Sequence, residues 1–204
     1  MHSYEFENVD GCLFDKFIEA NPYGYAYLFT LRNFCLSQNV QTVLELGAFQ
    51  GASAAAFFGG GVTEVKSVDI SGQHLSDDIR SELCRMGKWS LTLADSLIPL
   101  PFHGCYDLLF VDTVHNYAHV KKELELHSRV ASRFIVVHDT NYPPVDRRVL
   151  GSVDLGAKQQ DIVVEFRDTK RVKNAVTEFL AESSNFDLEY QSDEGTGMMI
   201  LRRL

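Results

Sequence analysis

The hydrophobic pattern changes period near residue 40. Before it, Leu13, Phe14, Phe17 and Ile18, then Tyr27, Leu28, Leu31 and Phe34, recur at three- and four-residue steps. That spacing predicts helix, and Asn21-Pro22 predicts a break between two short helices. After residue 40, short β-branched runs alternate with helical stretches. Strands are predicted over residues 42–46, 64–70, 89–93, 106–112 and 133–138, with helices starting near 53 and covering 76–86 and 117–130. Strands separated by helices make a parallel sheet, because parallel neighbours need crossover connections. The rhythm then changes again: a helix over 171–183 is followed by strands at 186–191 and 196–204. Only residues 192–195 part those strands, so the sheet should end in an antiparallel hairpin. A parallel dinucleotide-binding dehydrogenase has no need of one. Between 140 and 165 we expect a long connection lying over the ligand crevice as a lid. Its Asp146-Arg147-Arg148 could grip an acidic or hydroxylated acceptor or simply be solvated.

No repeat or low-complexity linker divides the 204 residues, which predicts one domain: a helical segment over 1–39 and an α/β core over 40–204. Hydrophobic residues at 45% and charged residues at 23% are those of an ordinary globular chain. No apolar run reaches the roughly 20 residues of a membrane span. The N-terminus lacks the basic and apolar regions of a secretory signal, so a cytoplasmic protein is the expectation. Cys12, Cys35, Cys84 and Cys105 are widely spaced, which disfavours a disulfide framework or a structural zinc site. A formal net charge of −9 disfavours a nucleic-acid partner. The Lys170, Arg171, Lys173 cluster reads as a solvated helix face. A small-molecule substrate fits better, and an oligomer is compatible with the chain.

Candidate chemistry gathers at the predicted strand ends. Glu45-Leu46-Gly47-Ala48-Phe49-Gln50-Gly51 lies where the first strand meets the first core helix. Glycines there let backbone approach a ligand, and the helix N-terminus offers N–H groups to an anionic moiety. Eighteen residues after Gly51, Asp69 ends the second strand, where an acid can accept from both ribose hydroxyls of a nucleotide. A tight turn alone would also need glycine. The two features at matching points of consecutive β-α units form the context a nucleotide fingerprint requires. Phe49 stands where G-x-G-x-x-G would place its second glycine.

These residues resemble the class I S-adenosylmethionine-dependent methyltransferases, whose first motif looks like residues 45–51 here. The resemblance implies a Rossmann-like α/β fold: a mostly parallel seven-stranded sheet with a C-terminal antiparallel hairpin and helices on both faces. It implies that Gly47 and Gly51, with Ala48, line the methionine portion of S-adenosylmethionine, and that Glu45 sits nearby. Asp69, with Ile70 beside it, matches the acid that holds the ribose. Ala94-Asp95-Ser96 looks like the adenine segment, with Asp95 accepting from the amino group. Asp112 closes the cofactor pocket.

Two further segments, Asp112-Thr113-Val114-His115-Asn116-Tyr117 and Val137-His138-Asp139-Thr140, follow the fourth and fifth strands. Two acids and two imidazoles in one pocket could hold a divalent metal or move a proton. The D-x-x-H-x-Y segment, Glu123 and the His-Asp pair look like the branch of small-molecule and sugar O-methyltransferases and relatives of cephalosporin hydroxylase, some of them magnesium-dependent. Carried over, Asp112, His138 and Asp139 form the metal set, and His115, with Asp112, the catalytic pair. His138 stands where a carboxylate is more usual, and imidazole is a poor partner for Mg²⁺. His119 and His127 read as surface or satisfied groups and Tyr117 as packing. Methyl transfer to a hydroxyl of a small acceptor is the leading expectation. The rivals are a non-catalytic methyltransferase-like binding domain and a dinucleotide-dependent oxidoreductase.

Overall fold

The structure is a computed structural model, and it describes residues 13–22, 24–100, 104–143, 147–154, 159–165 and 170–204. For 147–154 and 159–165 it describes the backbone. Two helices come first, α1 (Leu13–Ala20) and α2 (Tyr27–Gln38). The predicted break at Asn21-Pro22 is present, and Asn39 closes α2 in the left-handed conformation that asparagine tolerates. The core then runs β1 (Thr42–Leu46), α3 (Ala52–Gly59), β2 (Glu64–Asp69), α4 (Asp77–Met86), β3 (Lys88–Leu93), β4 (Tyr106–Val111), α5 (Tyr117–His127) and β5 (Ala131–His138). It continues through β6 (Arg147–Asp154), β7 (Gln159–Glu165), α6 (Val172–Glu182), β8 (Phe186–Ser192) and β9 (Met198–Arg203).

Seven strands form one sheet in the order β3-β2-β1-β4-β5-β9-β8. All neighbours up to β5 are parallel, and β9 is antiparallel to both β5 and β8. This is the Rossmann-like architecture with a terminal hairpin expected from the strand pattern. Side chains alternate across the sheet as the two-residue strand period requires. Val43, Val65, Leu108, Phe110, Phe134 and Val136 pack with α1, α2, α3 and Leu83 of α4 on one face. Leu44, Leu46, Val68, Leu109, Val111, Ile135 and Val137 pack with α5 and α6 on the other. Burial on both faces explains why the central strands read as nearly unbroken hydrophobic runs.

Three regions differ from expectation by more than a residue at an element end. The helix predicted over 117–130 ends at His127, and a 3-10 turn, Ser128–Val130, leads into a fifth strand that begins two residues early. The hairpin turn spans 193–197, because Gly195 (φ 59°) and Gly197 (φ 82°) leave the extended region. A Cβ on Gly197 would also lie 2.6 Å from Thr140 Oγ1. The segment expected as a long connection contains a separate antiparallel pair, β6 with β7. Its segments Val149 to Val153 and Ile162 to Val164, the second of them β-branched throughout, satisfy their backbone groups against each other. Asp146 and the side chains of Arg147 and Arg148 lie outside the described residues, and so does the choice between gripping an acceptor and being solvated. Cys35, Cys84 and Cys105 are free thiols, and Cys12 lies outside the described residues. No helix among the described residues is long and apolar enough to cross a membrane.

Candidate active site

Strand order reverses direction between β1 and β4, which opens a crevice beyond the C-terminal strand ends. A cavity of about 950 Å³ occupies that edge. Its walls include Gly47, Ala48, Asp69, Ile70, Asp95, Ser96, Asp112, His115, His138 and Asp139. Ten residues expected from five separate segments therefore meet in one place.

The glycine loop is tied into the sheet from both sides. Gly47 N donates to Val68 O at 2.8 Å, and Asp112 N donates to Leu46 O at 2.9 Å. A Cβ on Gly47 would lie 2.0 Å from the Asp112 carbonyl oxygen, and its φ of 93° is one that side chains rarely adopt. Glycine here is demanded by neighbouring backbone. Asp69 Oδ2 accepts from Ala48 N and Phe49 N at 2.9 Å each, and Oδ1 accepts from Ser71 N at 2.9 Å. A carboxylate offers about four lone-pair sites, so one open site remains. In this conformation Asp69 can serve one ribose hydroxyl, where the sequence reading expected two.

Two expected cofactor residues are placed elsewhere. Gly51 does not line the cavity; it caps α3, and a Cβ on it would press within 3.0–3.3 Å of Leu83, Leu75 and Ile79. Its role is close packing of α3 on the α4 region. Glu45 is fully buried below the loop, where Ser53 and Ser67 hydroxyls donate to its two oxygens and Trp89 Nε1 donates to Ser67 Oγ at 3.0 Å. Burial raises its carboxyl to about 7 against the opposing pull of the two serines, helped by the negative charges of Asp112 and Asp69. Its link to the cavity runs through Ser53, which does line it.

Beside the adenine segment, the fully buried Glu123 accepts from Thr113 Oγ1 at 2.8 and 2.9 Å. His119 Nε2 lies 3.3 Å from Glu123 Oε1 and 3.3 Å from Ser96 Oγ. His127 Nε2 lies 2.7 Å from Ser96 O. Both histidines are satisfied, as expected; His127 is buried, and the half-buried His119 lines the cavity. Asn116 starts α5 by accepting from Ala118 N and His119 N, which fixes where these groups stand. Tyr117 donates to Glu178 at the surface of α6 and takes no part in the site.

The other half of the cavity holds a closed cycle of four ionisable groups. His115 Nε2 lies 3.1 Å from Asp112 Oδ1, and its Nδ1 lies 2.6 Å from Asp139 Oδ2. The remaining oxygens, Asp112 Oδ2 and Asp139 Oδ1, each lie 3.3 Å from His138 Nδ1. That nitrogen is buried and has hydrogen-bond geometry to neither. Burial would lower His115, but hydrogen bonds to Asp112 and Asp139 outweigh it and hold the imidazole up at about 9. His138 is raised as well, burial again being outweighed by Asp112 and Asp139. Burial would raise Asp112, yet the two imidazoles hold it far below the carboxylate range. Asp139 adopts a φ of 56°, a strained choice for a residue with a side chain, and such strain clusters at functional sites.

The N-terminal helices also contribute to the site, which no motif in the sequence signals. Gly24, Tyr25 and Tyr27 line the cavity. Tyr25 donates to Gln50 at 3.0 Å, and the Tyr27 ring stacks on His138 at 3.8 Å between centroids. Aromatic residues two apart at the start of a helix carried no chemical pattern to flag them. Phe49, exposed at the rim against His74, and Tyr142, edge-on to His115, were also missed.

No protein-family model and no curated protein sequence matches the chain. Solved structures do match it, and they share its class I methyltransferase fold. A protein assigned as a caffeoyl-CoA O-methyltransferase from Staphylococcus aureus is 16% identical, with 94% of this chain and 91% of that one covered and a TM-score of 0.63. An O-methyltransferase from Bacillus cereus in complex with S-adenosylhomocysteine is 16% identical, covering 94% and 90%, with a TM-score of 0.61. Magnesium protoporphyrin IX methyltransferase from Synechocystis PCC 6803, with S-adenosylmethionine bound, is 10% identical, covering 98% and 88%, with a TM-score of 0.61.

Proposed function

We propose that this protein is an S-adenosylmethionine-dependent methyltransferase acting on a hydroxyl of a small-molecule acceptor. The observation that carries the reading is the division of one cavity into two chemically distinct halves. Small residues of the glycine loop, Asp69–Ile70 and Asp95–Ser96 line one half. Asp112, His115, His138 and Asp139 line the other. The solved methyltransferases that share the fold, with the donor or its product bound, support the donor assignment.

S-adenosylmethionine, when bound, supplies an electrophilic methyl group on a sulfonium. The chain's own task is then mainly alignment and removal of a proton. Asp69 and the amides it organises hold the sugar, Asp95 accepts from the purine amino group, and Ser53 faces the methionine end. His115 is the residue proposed to take the acceptor's proton. With both nitrogens held by carboxylates it is protonated at neutral pH, so it acts as a base only when that hold is relaxed. Asp112, His138 and Asp139 bring three donor atoms within 4.8 Å of one another, and the orphaned His138 nitrogen fits a ligand role. A cation held by them would supply Lewis acidity toward a hydroxyl.

The test is formation of methylated product and S-adenosylhomocysteine from a panel of hydroxylated acceptors, with and without divalent metal. Product is expected for at least one acceptor, and His115→Ala should lower turnover by roughly 10²–10⁴-fold while still binding S-adenosylhomocysteine. Turnover unchanged in that variant would remove His115 as the base. Cofactor binding without product on any acceptor would favour a non-catalytic binding domain.

A further inference from the structure

We infer that His138 is a metal ligand through Nδ1 and that, with Asp112 Oδ2 and Asp139 Oδ1, it makes this a site for a first-row transition ion such as Mn²⁺, Fe²⁺ or Co²⁺ rather than for Mg²⁺. The inference rests on the proposed reading of this half of the cavity as the acceptor side, and it goes further by naming the ion class.

Three features of the geometry carry it. Among the described residues, Asp112, His138 and Asp139 are the group whose ligand atoms converge. His138 is buried, and its Nδ1 sits 3.3 Å from one oxygen of each carboxylate with no hydrogen bond to either. The nitrogen faces both carboxylates as charge partners yet makes a well-formed hydrogen bond to neither, and a cation between the three atoms would satisfy nitrogen and oxygens together.

The surrounding groups are arranged as metal ligands require. A ligating histidine passes its other N–H to an acceptor, which fixes tautomer and ring orientation. Here His138 Nε2 lies 3.4 Å from Thr196 Oγ1, and the ring is clamped by the stacked Tyr27. Proton on Nε2 leaves the Nδ1 lone pair facing the two carboxylates. Those carboxylates are oriented in turn. Each gives one oxygen to His115, Asp112 through Oδ1 and Asp139 through Oδ2, and keeps the other toward His138. His115 therefore stands behind the ligands as their positioning partner. The ion class follows from the donor atoms. Mg²⁺ takes oxygen ligands in near-ideal octahedral geometry, whereas imidazole suits the transition ions.

The test uses the full chain without cofactor or acceptor. Mn²⁺ is titrated in and followed by electron paramagnetic resonance, with ¹⁴N hyperfine coupling as the readout, and Mg²⁺ is titrated in parallel by calorimetry. Wild type is expected to bind one Mn²⁺ with ¹⁴N coupling and to bind Mg²⁺ at least tenfold more weakly. His138→Asp should abolish the coupling and narrow the Mn²⁺ to Mg²⁺ preference at least tenfold. No Mn²⁺ binding, binding without ¹⁴N coupling, or coupling that survives in His138→Asp would each overturn the inference. S-adenosylhomocysteine binding, measured separately on both proteins, verifies their folding. It also reports on the donor half independently, so loss of the metal inference and loss of the methyltransferase reading give different results.

Discussion

At Gly47 one hydrogen atom in place of a side chain decides whether β1 and β4 can both reach the site. Alanine there would add a Cβ 2.0 Å from the Asp112 carbonyl oxygen at an unfavourable φ. Gly47→Ala should cost about 3 kcal/mol or more and weaken cofactor binding, since the loop must move to accept it. Chemical denaturation would show the loss as a lower midpoint; an unchanged midpoint would mean the contact is not rigid. The motif's glycines were legible as a pair, but their roles were not. Spacing cannot tell a glycine pressed against a neighbouring strand from Gly51, pressed against helix side chains. Glu45 shows the same limit, because a carboxylate at a strand end looks alike whether it faces ligand or two buried serines. Its folded-state value of about 7 lies above the ordinary 4.5, so the native state holds the proton more tightly. Its stabilising contribution is complete below about pH 4.5 and is lost as pH rises through 7. The difference in stability between wild type and Glu45→Gln should therefore shift against wild type between those values, by about 3 kcal/mol. A difference independent of pH, measured by urea unfolding from pH 5 to 8, would contradict it.

Among the elements, the sheet was the most legible part and the N-terminal helices the least understood. Strands buried on both faces leave hydrophobic runs that survive any change of ligand, so β1, β4 and β5 were readable from pattern alone. The helices were found too, at the expected break, but as an appendage outside the core. Phe14, Leu28 and Leu31 instead share one core with Phe57, Phe110 and Phe134. Periodicity states that a helix has an apolar face, never which face of which sheet covers it. Tyr27 reaches His138 as a consequence of that packing. Phe14→Ala should cost about 3–5 kcal/mol, and the chain should still unfold in one transition. Two separated thermal transitions would show that 13–38 folds apart from the sheet. The β6–β7 pair was missed because its valine and isoleucine runs are short and interrupted by polar residues and Gly151. In that context they resembled an irregular connection.

For the whole molecule, the fold was legible because motif, strand-helix alternation and terminal hairpin are independent signs of one architecture, and all three are present. The site was legible in outline for the same reason: in an open α/β sheet, whatever follows a strand faces the crevice. Its chemistry was less so. The pairing of Asp112, His115, Asp139 and His138 into one cycle depends on side-chain directions at two strand ends, and Asp139 gains its direction from a left-handed backbone. The proposed donor cofactor is cationic at sulfur, and the chain carries a formal net charge of −9. The central claim is the identity of that cofactor. Isothermal calorimetry of the full chain with S-adenosylhomocysteine and, separately, with NAD tests it most directly. The account predicts one saturable site for S-adenosylhomocysteine and none for NAD. Absence of binding by S-adenosylhomocysteine, or a saturable site for NAD, would contradict it.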